Sequence, residues 1–225
     1  MGHTLQVKSI SHSFGDRSVF LNTDIACKTG EIIGILGRNG TGKSTLFKIL
    51  FGTLKPASIA IHLDERLMRK SASFNSFIGY HPQEIMLPKG LKVSDLISIY
   101  IRDKNRQDKI YCSYGIANIQ NERVRNLSLG QQRYLQFLLV LNLDHHFVLL
   151  DEPFSMVEPL YKDLIKEKLI EYKSNKGFII TDHYYLDILD VSDKLCLIKD
   201  EKIIPVSKSE DLVMLGYLSN QSIIY

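Results

Sequence analysis

The sequence predicts an α/β domain interrupted by a helical insertion, and three observations predict it. A glycine-rich octet, Gly37-Arg38-Asn39-Gly40-Thr41-Gly42-Lys43-Ser44, follows the apolar run Ile32, Ile33, Ile35, Leu36 and precedes Leu46, Phe47, Ile49 and Leu50 at helical spacing. Strand, loop and helix thus succeed one another. A second apolar run, Phe147 to Leu150, is continuous in the manner of a strand buried on both faces of a parallel sheet. Between the two, Glu84 to Asn126 holds no strong strand run, and Val93 to Ile101 reads as a helix.

The remaining elements follow in chain order. Leu5 to Ser13 alternates as a strand, and Val19 to Ala26 reads as another, leading into a tight turn at Thr29-Gly30. Residues 44–52 form the helix after the loop, with Gly52 as its C-cap. Residues 55–82 are mixed: Ile59, Ile61 and Leu63 alternate, and Phe77-Ile78-Gly79-Tyr80 is strand-like. Arg102 to Lys109 is dense in charge and reads as a solvated face. Ser128 opens a helix whose Tyr134, Phe137, Leu138 and Leu141 make a buried stripe. Leu160 to Lys173 is a further amphipathic helix, and Phe178-Ile179-Ile180 a buried strand. Leu195 to Ile198 and Ile203 to Val206 make a hairpin across Lys199 to Lys202.

Composition bounds the possibilities. A chain of 225 residues suits one such domain. Its 44% hydrophobic and 24% charged content is ordinary for a globular protein. A net charge of +3 argues against a large nucleic-acid footprint. Cys27, Cys112 and Cys196 show no metal-ligand spacing; an odd, sparse count fits a reducing compartment, and all three read as small core hydrophobes. No window reaches the length of a membrane span, and the N-terminus lacks a basic stretch followed by an apolar run.

The octet has the form G-x-x-x-x-G-K-[ST], whose backbone N–H groups wrap a phosphate. Glycines allow that close approach and supply positive φ. The helix that begins near Lys43 directs its N-terminal dipole at the anion. Lys43 reaches the β- and γ-phosphates, and the Ser44 hydroxyl is placed to ligate Mg²⁺. Asp151 and Glu152 end the apolar strand Phe147 to Leu150, at the crevice where open α/β sheets bind ligands. Asp151 is a candidate Mg²⁺ holder through water, and Glu152 a candidate general base for an attacking water. Ser128-x-x-Gln131 is a helix capping box.

Taken together these residues resemble the nucleotide-binding subunit of an ATP-binding cassette (ABC) transporter, over nearly the whole chain. Leu127-Ser128-Leu129-Gly130-Gln131-Gln132-Arg133 stands where that family has its LSGGQ signature, ahead of the Walker B carboxylates. His81-Pro82-Gln83 matches the glutamine that leads into the helical insertion, Thr181-Asp182-His183 the histidine after the next strand, and Ser13-Phe14-Gly15 the aromatic residue that stacks on adenine. The resemblance implies a P-loop NTPase core, a RecA-like mixed sheet with helices on both faces. To this it adds an N-terminal antiparallel β-subdomain and a helical subdomain. It divides one ABC ATPase domain into a core of residues 1–83 and 127–225 and a helical part of residues 84–126.

The resemblance also implies roles. ATP binds with its base on Phe14 and its phosphates on residues 37–45, which include Thr45. Two subunits, as a homodimer or with a paralogue, close head to tail so that Ser128, Gly130 and Gln131 of one grip the γ-phosphate held by the other. Gln83 senses Mg²⁺ and the γ-phosphate, Glu152 orients water, and His183 stabilises the transition-state charge. The work is passed to a separate transmembrane permease at the cytoplasmic face of the membrane. Two departures stand out. Leu129 replaces a usual glycine, which implies little change at the phosphate, where Gly130 is kept, but altered packing between subunits. The loop Ser155-Met156-Val157-Glu158 ends in glutamate where aspartate is usual, which implies slower or less tightly coupled hydrolysis. Two other roles share these motifs. One is a soluble cassette acting on ribosomes or nucleic acid, although such chains usually carry two cassettes or a long coiled-coil insertion. The other is a nucleotide-gated regulatory module of low turnover.

Overall fold

A computed structural model describes residues 2–68 and 77–219, so residues 69–76 of the mixed 55–82 stretch lie outside the described part. The first strands are β1 (Thr4–Phe14), β2 (Arg17–Lys28) and β3 (Ile32–Leu36), followed by helix α1 (Lys43–Phe51). Next come β4 (Ser58–Leu63), β5 (Arg66–Leu67) and β6 (Ile78–His81). The insertion holds α2 (Val93–Tyr100), α3 (Lys104–Tyr111), α4 (Ile116–Ile119) and a 3₁₀ turn at Val124–Asn126. The chain continues through α5 (Leu129–Asn142), β7 (Phe147–Asp151), α6 (Pro159–Lys173), β8 (Gly177–Thr181) and α7 (Tyr185–Val191). It closes with β9 (Lys194–Lys199), β10 (Lys202–Val206) and α8 (Ser209–Met214).

Strands β3, β7 and β8 are buried along their full length, which is why their sequences are almost wholly apolar. Successive side chains go to opposite faces of the sheet. Ile33, Ile35, Phe147, Leu149 and Ile179 enter one core with α1 and the antiparallel strands β1 and β2. Ile32, Leu36, Val148, Leu150, Phe178 and Ile180 enter the other, with α5, α6, α7 and the insertion helices. The main sheet has the order β10-β9-β3-β8-β7-β6. Its β3, β6, β7, β8 and β9 run parallel, and β10 is antiparallel at one edge. Pro205 sits in that edge strand, where a residue without an N–H is tolerated.

A second sheet, β2-β1-β4-β5, is antiparallel and covers the α1 side. It is joined to the main sheet where Leu21 N donates to Glu201 O (3.1 Å) and Ile203 N to Thr23 Oγ1 (2.8 Å). The predicted mixed α/β architecture with helices on both faces is thus present. The Gly52 cap is also as expected, left-handed at φ 84, with its N–H directed to Ile49 O and Lys48 O.

One local expectation needs correction. Cys27 is buried and Cys196 half-buried, but Cys112 is exposed, because it caps the C-terminus of α3 instead of facing its buried Ile110 side. The charged stretch from Arg102 is solvated as expected, and most of it lies in α3, which Asp103 caps by accepting from Arg106 N (2.9 Å). Helices α7 and α8 are too short for their periodicity to register in the sequence.

His81, the last residue of β6, is completely buried with both ring nitrogens unbonded. Burial, aided by the nearby Arg133 guanidinium, lowers its pKa to about 4. The unfolded chain takes up this proton at its ordinary pKa of about 6.5. Neutral His81 therefore supports folding above pH 6.5, and that support is lost as the pH falls towards 4. Urea titrations from pH 6.5 to 4 are expected to show a loss of about 3 kcal/mol that His81→Phe largely removes.

Candidate active site

The loop after β3 is held open from within. Gly42 has φ 107, and a Cβ there would stand 2.6 Å from Val19 Cγ1, so only glycine fits. The Lys43 ammonium donates to the loop carbonyls of Gly37 (2.7 Å) and Arg38 (3.3 Å). Burial lowers the Lys43 pKa, and the carboxylates of Glu152, Asp151 and Asp182 oppose that shift. Asn39, Gly40, Gly42, Lys43, Ser44 and Thr45 line a cleft of about 370 Å³ whose other walls include Phe14, Gln83, Glu152 and His183. Phe14 is 53% exposed there, its ring perpendicular to that of His12.

At the end of β7 the two carboxylates diverge. Asp151 continues the strand, accepts from Tyr80 OH (3.0 Å) and lies 3.5 Å from Ser44 Oγ. Burial raises its pKa, the Tyr80 bond opposes that, and the neighbouring Glu152 adds to the rise. Burial and the adjoining Asp151 also push the Tyr80 phenol up. Glu152 turns out of the strand at φ 55, a conformation few non-glycine residues adopt. Its N–H is tied to Thr181 O (2.7 Å). Gln83 Nε2 donates to Glu152 Oε2 at 2.7 Å, and His183 Nε2 lies 2.6 Å from Glu152 Oε1. Three residues from distant parts of the chain therefore meet at one carboxylate.

Oxygen donors gathered beside a phosphate loop suit a hard divalent cation. Ser44 Oγ and Asp151 Oδ1 are such donors, and Gln83 keeps its amide oxygen for one while its amide nitrogen serves Glu152.

The signature helix is built as its sequence reads. Gln131 N donates to Ser128 Oγ (3.2 Å) and Ser128 N to Gln131 Oε1 (2.9 Å), a complete capping box. Gly130 has a packing reason as well: a Cβ there would lie 2.9 Å from the Tyr161 ring. Ser128, Gly130 and Gln131 do not line the cleft of their own chain. Arg38 and Thr41 turn away from it too, towards a second cleft formed with Lys199 and Tyr217, where Arg38 donates to Gly216 O (2.8 Å).

The sequence reading missed several residues that set this geometry. Buried Asp182 accepts from Phe154 N (2.7 Å), Ser155 Oγ (2.8 Å) and Tyr184 N (3.1 Å), fixing the segments after Glu152 and around His183. Gln136 donates to Glu84 O (3.1 Å) and accepts from Met86 N (2.7 Å), anchoring the segment just beyond Gln83. Arg17 enters the cleft with a bond to Gly40 O (3.1 Å). The polar residue at position 182, directly after a buried strand, was the one available signal; Gln136 and Arg17 gave none.

A sequence profile described as "ABC transporter" matches residues 20–155. The chain belongs to the ABC transporter family. As an ABC chain it is an ATP-binding subunit and an ATPase. It is 29% identical over 215 residues to the lipopolysaccharide export system ATP-binding protein LptB of Escherichia coli K12, covering 89% of each chain. It is 25% identical over 227 residues to the LptB of Acidithiobacillus ferridurans, covering 95% of this chain and 93% of the relative. The fold matches a solved ATP-binding subunit of an ABC transporter with a TM-score of 0.83 at 17% identity, covering 96% of this chain and 94% of that one.

Gly130→Ala is expected to lower ABC-domain stability by about 1–3 kcal/mol by forcing the Tyr161 ring aside. Urea unfolding checks this, and adding Tyr161→Leu to the Gly130→Ala variant should restore most of the loss.

Proposed function

We propose that this ABC subunit hydrolyses ATP at a site shared by two cassettes and thereby drives a separate transmembrane permease. The observation that carries the reading is the convergence of Gln83 and His183 on Glu152, in the cleft that also holds Lys43. In this reading Phe14 stacks on the base. The loop Gly37, Arg38, Asn39, Gly40, Thr41, Gly42 surrounds the phosphates with its N–H groups, and Lys43 exchanges the Gly37 and Arg38 carbonyls for phosphate oxygens. Thr45 and Ser44 extend the cradle into α1, and the helix dipole adds attraction for the anion. Ser44, Asp151 and Gln83 would hold Mg²⁺, which when bound would neutralise charge on the transferring phosphate.

Glu152 accepts a proton from the attacking water as its general base. Its strained turn and the bonds from Gln83 and His183 keep the carboxylate aimed into the cleft. His183 then stands where it stabilises charge on the γ-phosphate. Ser128, Gly130 and Gln131 lie outside their own cleft, which supports a role on the nucleotide of an opposing cassette, either a second copy or a paralogue. The capped tip of α5 is suited to that, because its free N–H groups and dipole favour an anion.

Residues 84–126 act as a helical arm on a core formed by 1–83 and 127–225. Its α3 packs on the signature helix α5, so movement of the arm carries Ser128 and Gly130 with it. No helix among the described residues is long and apolar enough to cross a membrane, in keeping with work at the cytoplasmic face on a partner that does. The names of the LptB relatives make an export system the first candidate for that partner.

Glu152→Gln is expected to reduce ATP turnover by about 100-fold or more while stabilising an ATP-dependent dimer, read by phosphate release and light scattering. Turnover at the parent rate removes Glu152 from its role. Lys43→Ala is expected to weaken ATP binding at least tenfold, an effect of about 1.4 kcal/mol or more, measured by calorimetry.

A further inference from the structure

The loop after Glu152 carries a sulfur atom that ATP hydrolysis does not use. Met156 is 69% exposed and has φ 56, a left-handed conformation uncommon outside glycine. Its Sδ lies 4.0 Å from Nη2 of Arg133 on α5. Arg133 is only 6% exposed, and its Nε and Nη1 are buried with no acceptor. His81, the adjoining buried histidine, is likewise without a bond at either nitrogen. A guanidinium presents five donors, and a thioether is a weak acceptor. Nη2 has only this weak acceptor, and the unmet Nε and Nη1 of the same guanidinium are costly, so a stronger acceptor at Nη2 is favoured.

We propose that Met156 is a reversible oxidation site whose sulfoxide oxygen is captured by Arg133, pinning residues 155–158 to α5 and slowing ATP turnover. The oxidant is a peroxide. Its O–O bond breaks, one oxygen bonds to Sδ, the sulfur gives up two electrons, and with hydrogen peroxide the other oxygen leaves as water. Exposure gives the peroxide access, and with Sδ 4.0 Å from Nη2 an oxygen on the sulfur comes within reach of the guanidinium. A bond from a cationic donor to that oxygen is charge-assisted and stronger than the sulfur contact it replaces. Among the described residues, the exposed Met86 and Met214 have no guanidinium bonded to their sulfur.

Ser155 is already fastened to Asp182 on one side. Capture of Met156 fastens the next residue on the other, leaving the segment between Glu152 and α6 unable to adjust. The effect on turnover rests on the shared-site reading above, in which this segment faces a second cassette.

The test exposes the full chain to dilute hydrogen peroxide and follows each methionine by peptide mass spectrometry, alongside ATPase rate and melting temperature. Turnover is expected to fall at least threefold in step with oxygen at Met156 and to recover with methionine sulfoxide reductases. Met156→Leu should keep most of its own untreated rate. The melting temperature of the oxidised parent, relative to oxidised Met156→Leu, should rise by about 2–4 °C, and Arg133→Met should abolish that rise. The melting comparison needs no second cassette. The proposal is overturned if Met156 stays reduced while Met86 and Met214 oxidise, or if Met156→Leu is inhibited as strongly as the parent. Unchanged turnover with Met156 fully oxidised also overturns it, separately from the shared-site reading whenever Glu152→Gln still dimerises with ATP.

Discussion

Parallel strands buried on both faces cannot place a polar side chain along their length, and the rest of this molecule depends on that constraint. β7 is apolar from Phe147 to Leu150, and its first carboxylates come at its very end. β3 gives way at the same edge to the phosphate loop, and β8 to Asp182 and His183. Chemistry is thereby confined to one rim, where strands that are adjacent in space but distant in sequence deliver their first polar residues together. The strain at Glu152 belongs to the same constraint. The chain must leave the strand abruptly for its carboxylate to face Gln83 and His183, and the bond from Glu152 N to Thr181 O holds that turn in place.

The local parts of this arrangement were legible in the sequence. Ser128 and Gln131 read as a capping box because both partners lie within one turn of helix, and the box is complete. The octet around Lys43 was legible because spacing alone defines it. The long apolar runs gave the strands, and their alternation between two cores follows from the pleat without further information. What the sequence could not supply was tertiary pairing. Asp182 reads as a residue between threonine and histidine, yet it binds two backbone N–H groups and a hydroxyl. Gln136 lies inside a helical stripe and resembles an ordinary interior polar residue until the carbonyls and N–H of the Gln83 segment are seen around it. Cys112 was misplaced for the same kind of reason: composition favours burial of a cysteine, and a helix end overrode it.

These supporting residues share a physical logic. A carboxylate that must be aimed within a fraction of an ångström needs neighbours that are themselves immobile. Gln83 touches Glu152 directly, and Gln136 holds the backbone beyond Gln83. His183 touches Glu152 directly, and Asp182 holds the backbone just beyond it at Tyr184 N. Each direct partner is thus backed by a buried polar side chain that spends its bonding capacity on main-chain groups, where geometry is least adjustable.

Pro205 has an effect that reaches beyond the single chain. An open sheet margin ordinarily presents a ladder of donors and acceptors on which a foreign strand can grow. β10 is such a margin beyond the point where Ile203 N meets Thr23 of β2, and its proline interrupts the ladder there. Crowded copies therefore find no continuous template there for cross-strand aggregation, and the hazard that accompanies a twisted sheet open at its sides is reduced at this boundary by one missing hydrogen.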